Sequence, residues 1–88
     1  MPTLSIFFGI IVKMYDERKS KHNLPHIHAE YNGEEVVIDL EGNVITGNIP
    51  IKKLRLLLAW VEIHKEDISA NYETYQQTGE YFRIDPLR

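Results

Sequence analysis

The sequence contains no cysteine. Without a thiol, the chain has no disulfide framework, no thiolate zinc site and no cysteine nucleophile. It also lacks a glycine-rich phosphate loop and a serine in a nucleophile-elbow context. The absence of cysteine fits a reducing compartment, so we expect a cytoplasmic protein.

Long apolar runs are missing as well. The apolar stretch "MPTLSIFFGIIVKMY" has no charged n-region and no small-residue cleavage site, and it is shorter than the ~20 residues that span a bilayer. We therefore expect no membrane association. With 88 residues, 43% of them hydrophobic and 26% charged, the composition is that of a globular protein, and residues 1–88 are predicted to form one domain.

The chain also has no excess of basic residues. Its formal net charge is −3 at pH 7, whereas nucleic-acid-binding proteins usually carry a strong positive field. Basic side chains do gather in the first loop and at the predicted helix start: Lys13, Arg18, Lys19, Lys21, Lys52, Lys53 and Arg55. They could contact phosphate, but such residues are more typical of a solubilising surface, so nucleic acid is not the favoured partner.

The first half of the chain has the pattern of β-strands. Residues 3–15 alternate as one strand, in which Gly9 indicates a bulge or a close backbone approach. Further strands are predicted at 26–32, 35–40 and 44–46. Asn32-Gly33 is a strong hairpin signal, and residues 41–43 make another turn. This pattern predicts an antiparallel meander of three or four strands.

The second half has the pattern of a helix. Pro50 suits the first helical turn, and no proline or glycine follows until Gly79. An unbroken helix over this span would be ~40 Å long, whereas a domain of this size has a radius of gyration of ~12 Å. The helix therefore either breaks, with Asp67 or Ser69 as a second N-cap, or projects beyond the sheet. The predicted fold class is α+β, a meander packed on a long amphipathic C-terminal helix.

The helix carries two apolar stripes. One is wide enough to cover the sheet and includes His64, which we expect to be partly buried. Leu56, Trp60 and Ile63 form the second, and a helix that covers one sheet should not need it. This second stripe predicts an interface, either in a homo-oligomer or with another protein. In the alternative, the C-terminal segment folds back and covers the stripe within one chain.

The stretch "HNLPHIHAEY" holds three of the four histidines. Strand alternation places His26, His28 and Glu30 on one face, with the two histidine Cα atoms ~6.6 Å apart. Two imidazoles at this spacing can bind one metal ion, with His22 as a third ligand and Glu30 or Asp39 as a carboxylate. Such a set suits zinc, nickel or iron. A general acid or base role for one histidine, or a solvated structural role, remains open.

Five stretches resemble, in order, the small bacterial family catalogued as domain of unknown function 4160: "MPTLSIFFGIIVKMY", "HNLPHIHAEY", "VVIDLEGNVITGNIP", "LRLLLAWVEIHKEDISANYE" and "RIDPL". The most specific part is the Pro-His-x-His run that begins at Pro25. The family usually has two prolines there, and Leu24 replaces the first. His22, His26 and His28 fall on matching family positions, which favours a common role for them.

The resemblance implies a partner rather than an activity. Family members are commonly encoded beside a second small protein, an arrangement similar to a toxin–antitoxin pair. We therefore expect a cytosolic interaction protein of such a two-gene module, which self-associates or binds its co-encoded partner. The alternative is a small metal- or histidine-dependent hydrolase, similar to an RNase, that uses His22, His26 and His28. A DNA-binding autoregulator is a weaker third hypothesis because the net charge of the chain is negative.

Overall fold

The structure, a computed structural model, describes residues 3–14 and 25–88. A five-stranded antiparallel sheet is followed by one long helix. The strands, which neighbour one another in chain order, are β1 (Thr3–Phe7), β2 (Ile10–Met14), β3 (His26–Tyr31), β4 (Glu34–Asp39) and β5 (Val44–Gly47). Helix α1 spans Ile51–Thr78. The predicted α+β class, with its meander and C-terminal helix, is confirmed, and the sheet has one strand more than expected.

The additional strand comes from a turn at Phe8-Gly9. Both residues have positive φ, 49° and 81°, as a two-residue type I′ hairpin requires. The prediction of one strand over residues 3–15 was therefore wrong. Phenylalanine is rarely found at positive φ, so this pair carries no ordinary turn signal. The close approach predicted at Gly9 is present, because an added Cβ would lie 3.1 Å from Cε1 of Tyr31.

One hydrophobic core lies between the helix and one face of the sheet. Cross-strand neighbours on β2, β3 and β4 share this face, since side chains along a strand alternate between faces. The registers place Val12 beside Ala29 and Ala29 beside Val36. The helix residues buried against them are Leu57, Trp60, Val61 and Ile68. The opposite face of the sheet carries the polar residues of the same strands together with Ile11 and Val37.

Helix α1 bends at His64, whose φ of −108° and ψ of 18° are not helical. A straight helix of 28 residues would be ~42 Å long, yet the Cα atoms extend only 34 Å along the longest axis. The predicted break is thus present, at His64 rather than at Asp67 or Ser69. The helix ends at Gly79, as predicted. Within the described residues, no helix is both long and apolar enough to cross a bilayer.

The C-terminal segment, residues 80–88, folds back against the helix and the sheet. The indole Nε1–H of Trp60 donates a hydrogen bond to the carbonyl oxygen of Asp85, with a distance of 2.8 Å. The backbone N–H of Ile84 donates to the carbonyl oxygen of Leu4 on β1, also at 2.8 Å. This segment therefore covers Trp60 and lies against the edge strand β1.

Candidate functional site

His26, His28 and Glu30 lie on the sheet face opposite the core, as strand alternation predicts. Their neighbours Ile27 and Ala29 are buried in the core. The histidines are not freely solvated, because His26 is buried and only 13% of the His28 side chain is exposed. The face therefore holds two imidazoles in a partly water-excluded setting.

His28 contacts a residue that sequence reasoning did not select. Its Nε2 lies 3.0 Å from Oε2 of Glu35 on β4. In the β3–β4 register, Glu35 is directly opposite Glu30 and thus diagonal to His28. The Asn32-Gly33 turn was the available signal, because a two-residue hairpin sets this register. Counting outward from that turn would have placed Glu35 beside the histidines.

Glu30 contacts a lysine instead of completing a histidine cluster. Its Oε1 lies 3.1 Å from Nζ of Lys13 on β2, and both side chains are about three-quarters buried. Lys13 is directly opposite His28 in the β2–β3 register. Two diagonal contacts, the Lys13–Glu30 ion pair and the His28–Glu35 contact, therefore run across the three central strands.

Asp39 is directly opposite His26 in the register, but its carboxylate serves the β4–β5 turn. Oδ1 accepts hydrogen bonds from the backbone N–H groups of Glu41 and Asn43, both at 2.9 Å, and Oδ2 accepts one from the Asn43 side chain at 3.0 Å. Burial tends to raise the pKa of Asp39, but the hydrogen bonds from Asn43, Glu41 and Gly42 outweigh it and hold that pKa below 3.8. This carboxylate therefore has a structural role in the turn.

The predicted metal ligands are His22, His26, His28 and Glu30. His22 lies outside the described residues, and Glu30 is engaged by Lys13. Among residues 3–14 and 25–88, no group of three or more histidine, aspartate or glutamate side chains is arranged to hold a metal ion. A zinc or nickel site would need a ligand from outside the described residues, such as His22, and stays a prediction.

The predicted interface residues Leu56, Trp60 and Ile63 do not share one surface. Trp60 is fully buried, with its ring centroid 5.4 Å from that of Phe7 and 5.5 Å from that of His64. Leu56 is partly buried, whereas Ile63 is 65% exposed. The alternative reading, a C-terminal segment folded over the stripe, describes Trp60 correctly. An interface on this side of the helix stays a prediction, and only Ile63 offers most of its side chain to a partner.

Strand β5 is the last strand of the sheet, and every one of its residues is exposed. No further strand pairs with its outer edge in the part of the chain that the structure describes. Val44 and Ile45 are large apolar side chains with about half of their surface exposed. The two sheet edges thus differ, because β1 is covered by the C-terminal segment and β5 is not.

An apolar side of α1 reaches the β4–β5 turn. Ile51, Leu54 and Leu58 follow the three-four spacing of one helix side. Ile51 is exposed, and the two leucines are partly buried. Leu58 approaches Gly42, since a Cβ added there would lie 3.8 Å from Cδ2 of Leu58, which places this side at the β4–β5 turn. We call the combined patch the β5 edge surface: Val44, Ile45, Thr46, Ile51, Leu54 and Leu58.

Two of the basic side chains that could have bound phosphate are engaged within the chain. Lys53 donates a hydrogen bond from Nζ to the carbonyl oxygen of Phe8 at 3.0 Å, and the same ammonium lies 5.0 Å from the ring centroid of Tyr31. Lys13 is paired with Glu30. Residues 15–24, which include the other basic residues of the first loop, lie outside the described residues. Nucleic acid remains the less favoured partner.

Comparison with known proteins identifies the family. The family model described as domain of unknown function DUF4160 matches residues 9–73, from the Phe8-Gly9 turn to beyond the helix kink. No curated protein and no solved structure shows significant similarity to the chain. Because the match covers well over half of the 88 residues, the chain belongs to the DUF4160 family.

Proposed function

We propose that this protein is an interaction protein that binds a second protein chain as part of a toxin–antitoxin-like two-gene module. The observation that carries the proposal is the β5 edge surface, an uncovered strand edge flanked by an apolar side of α1. The second chain is either the co-encoded small protein or another copy of this one.

The chemistry of β5 supports this role. An edge strand presents unpaired backbone N–H and C=O groups, which another chain can pair with. Natural proteins protect such an edge with a short strand, a bulge, lysine, proline or a covering segment. The β5 sequence, Val-Ile-Thr-Gly, contains neither lysine nor proline. The strand is short and carries a bulge opposite Val37 and Ile38, and both features limit indiscriminate pairing with other chains.

A pair of matched variants tests the proposal. Ile45 on β5 and Ile6 on β1 are exposed to the same degree, 52% and 51%. Ile45→Lys is expected to weaken binding at least about tenfold, a loss of ~1.4 kcal/mol, because it places a charge in the interface. Ile6→Lys adds the same charge at the covered edge and is expected to bind as the wild type does.

Binding is measured in two ways: as the mass of the purified chain by light scattering at high micromolar concentration, and as co-purification with the product of the neighbouring gene. A wild-type chain that is monomeric and does not bind the neighbouring product would refute the proposal. Equal effects of Ile45→Lys and Ile6→Lys would show that binding occurs elsewhere on the molecule.

A second candidate function is a histidine-dependent hydrolase that acts on RNA. It is favoured by the 3.0 Å contact between His28 and Glu35, because a carboxylate that orients an imidazole is a common arrangement in general acid–base catalysis. His28→Ala and Glu35→Gln are then expected to abolish RNA cleavage while the circular dichroism spectrum stays unchanged. Cleavage that persists in both variants would exclude this role.

A further inference from the structure

The C-terminal segment, residues 80–88, lies against α1 and β1 in the way that a bound peptide lies in a groove. It forms neither a helix nor a strand. Four hydrogen bonds join it to α1 and β1, and each of them uses a backbone atom of the segment. Their partners are the side chains of Asn71 and Trp60 and the carbonyl oxygen of Leu4. We call these three residues the C-terminal groove.

These hydrogen bonds do not depend on the side chains of the segment. The amide of Asn71 binds both the N–H and the C=O of Phe82, whose own side chain is 46% exposed. The indole of Trp60 donates to the carbonyl oxygen of Asp85, which is also an exposed residue. Any extended peptide offers the same backbone groups. In peptide recognition, such main-chain bonds supply affinity, and pockets for side chains supply specificity.

One side chain of the segment fills such a pocket. Ile84 is 6% exposed and belongs to the hydrophobic core, whereas Phe82, Arg83 and Asp85 around it are exposed. Leu87 is partly buried against the same core. The C-terminal groove therefore fits an extended segment with an aliphatic side chain at the place of Ile84, and it leaves the neighbouring side chains free to vary.

The attachment of the segment is small for a part of the core. Ile84 is the one buried residue of residues 80–88. Its N–H makes a single backbone hydrogen bond to β1, and no ladder is present there in the part of the chain that the structure describes. Segments with few buried side chains open at a lower free energy than the rest of a fold. The segment also begins after Gly79, an exposed residue in the left-handed conformation, where a change of backbone direction meets little steric resistance.

From these contacts we infer that the C-terminal groove is a peptide-binding site, which residues 80–88 occupy in the isolated chain and which an extended segment of a partner protein takes over. The partner segment carries an aliphatic residue at the place of Ile84. The site lies at the β1 edge of the sheet, and the β5 edge surface lies at the other edge, so the inference goes beyond the proposed function and does not depend on it. The tethered segment competes at an effective concentration that is roughly millimolar, and this sets the affinity that a partner must reach.

The test replaces the tethered segment by a free one. A labelled synthetic peptide of residues 80–88 is titrated into the full chain, and binding is followed by fluorescence anisotropy. The wild type is expected to bind the peptide weakly, because its own segment competes. Ile84→Ser is expected to bind it at least about tenfold more tightly, because the loss of a buried aliphatic side chain favours release of the tethered segment by more than this factor. Arg83→Ala changes the exposed neighbour and should bind as weakly as the wild type.

Trp60 gives a second readout, because the segment covers its indole. In Ile84→Ser the native-state fluorescence should shift to the red, and the wild-type peptide should reverse this shift. A peptide that itself carries Ile84→Ser should neither bind nor reverse it. Adding Ile45→Lys to the Ile84→Ser chain should leave peptide binding unchanged, which separates this site from the β5 edge surface.

Three results would overturn the inference. One is a folded Ile84→Ser chain that binds the wild-type peptide no more tightly than the wild type does, and another is equal binding of the wild-type and the substituted peptide. If Ile84→Ser does not fold, Leu87→Ser takes its place, because it alters a residue that is only partly buried. The third result is that both variants unfold as a whole, which would mean that the segment is an inseparable part of the core.

Discussion

Asn71 holds the C-terminal segment in place, and its removal should have a measurable cost. This fully buried residue of α1 makes two hydrogen bonds with the backbone of Phe82. Its Nδ2–H donates to the carbonyl oxygen of Phe82 at 2.6 Å, and its Oδ1 accepts from the N–H of Phe82 at 3.0 Å. Asn71→Ala removes both bonds and leaves a small void.

The expected magnitude follows from these two bonds. Each contributes about 0.5–1.5 kcal/mol net, so the free energy of unfolding should fall by about 1–3 kcal/mol. A domain of 88 residues has a total stability of about 4–13 kcal/mol. A loss of ~2 kcal/mol would lower Tm by about 8–16 °C in a domain of this size.

The assay uses urea unfolding together with a local reporter. Trp60 is the only tryptophan, and the segment that Asn71 anchors also covers its indole. In Asn71→Ala we expect a red shift of the native-state fluorescence, because water gains access to Trp60 as residues 80–88 detach more often. Thr74→Ala is the control, since its exposed hydroxyl donates only to Ala70 one turn earlier on the same helix, and it should change stability by less than about 0.5 kcal/mol.

Two results would refute the reasoning. One is a loss of stability in Asn71→Ala no larger than in Thr74→Ala. The other is a large loss of stability with unchanged native-state fluorescence, which would mean that the cost arises inside the helix and not from release of the C-terminal segment.

Three further predictions concern a glycine, a turn carboxylate and the histidines. In urea unfolding, Gly47→Ala should lower the free energy of unfolding by about 1–3 kcal/mol more than Gly33→Ala does. Both glycines have positive φ, but only at Gly47 would the new Cβ overlap a backbone carbonyl of β4. Equal losses of stability in the two variants would contradict this prediction. Asp39→Asn should reduce the stability of the fold above pH 3.8. This loss should shrink as the pH falls through the lowered pKa of Asp39, because protonation removes the same charge from the wild type. A loss that stays constant down to about pH 2 would show that it does not arise from the charge of Asp39. If the predicted zinc or nickel site exists, elemental analysis should find near-stoichiometric metal in the untagged wild type and none in the His26→Ala/His28→Ala double variant. Metal that is absent from both proteins, or that the folded variant retains, would exclude the predicted site.

The features that sequence reasoning identified correctly depend on a few neighbouring residues. Asn32-Gly33 forms the turn because both residues tolerate positive φ. The faces of β3 follow from the two-residue period of a strand, which places His26 and His28 opposite the core. Gly79 ends the helix because it adopts the left-handed conformation at no steric cost.

The features that were missed depend on residues distant in the chain. Phe8 adopts positive φ although its own preference opposes this, so packing of β1 and β2 against the core outweighs local strain. The contact between His28 and Glu35 required the pairing register as well as the strand pattern. The Leu56–Trp60–Ile63 stripe looked like an interface because helix periodicity reports which side chains are apolar, and not what covers them.

The sequence by itself determined the α+β class, the strand faces, most turns and the family, since these follow from periodicity, turn chemistry and short motifs. Tertiary structure alone decided that the helix bends at His64, that Trp60 is covered by residues 80–88, and that Glu30 pairs with Lys13. It also decided which sheet edge is covered and which is open. The physical reason is that covering, bending and pairing are contacts between segments far apart in the chain, and their outcome depends on which segments meet when the core closes.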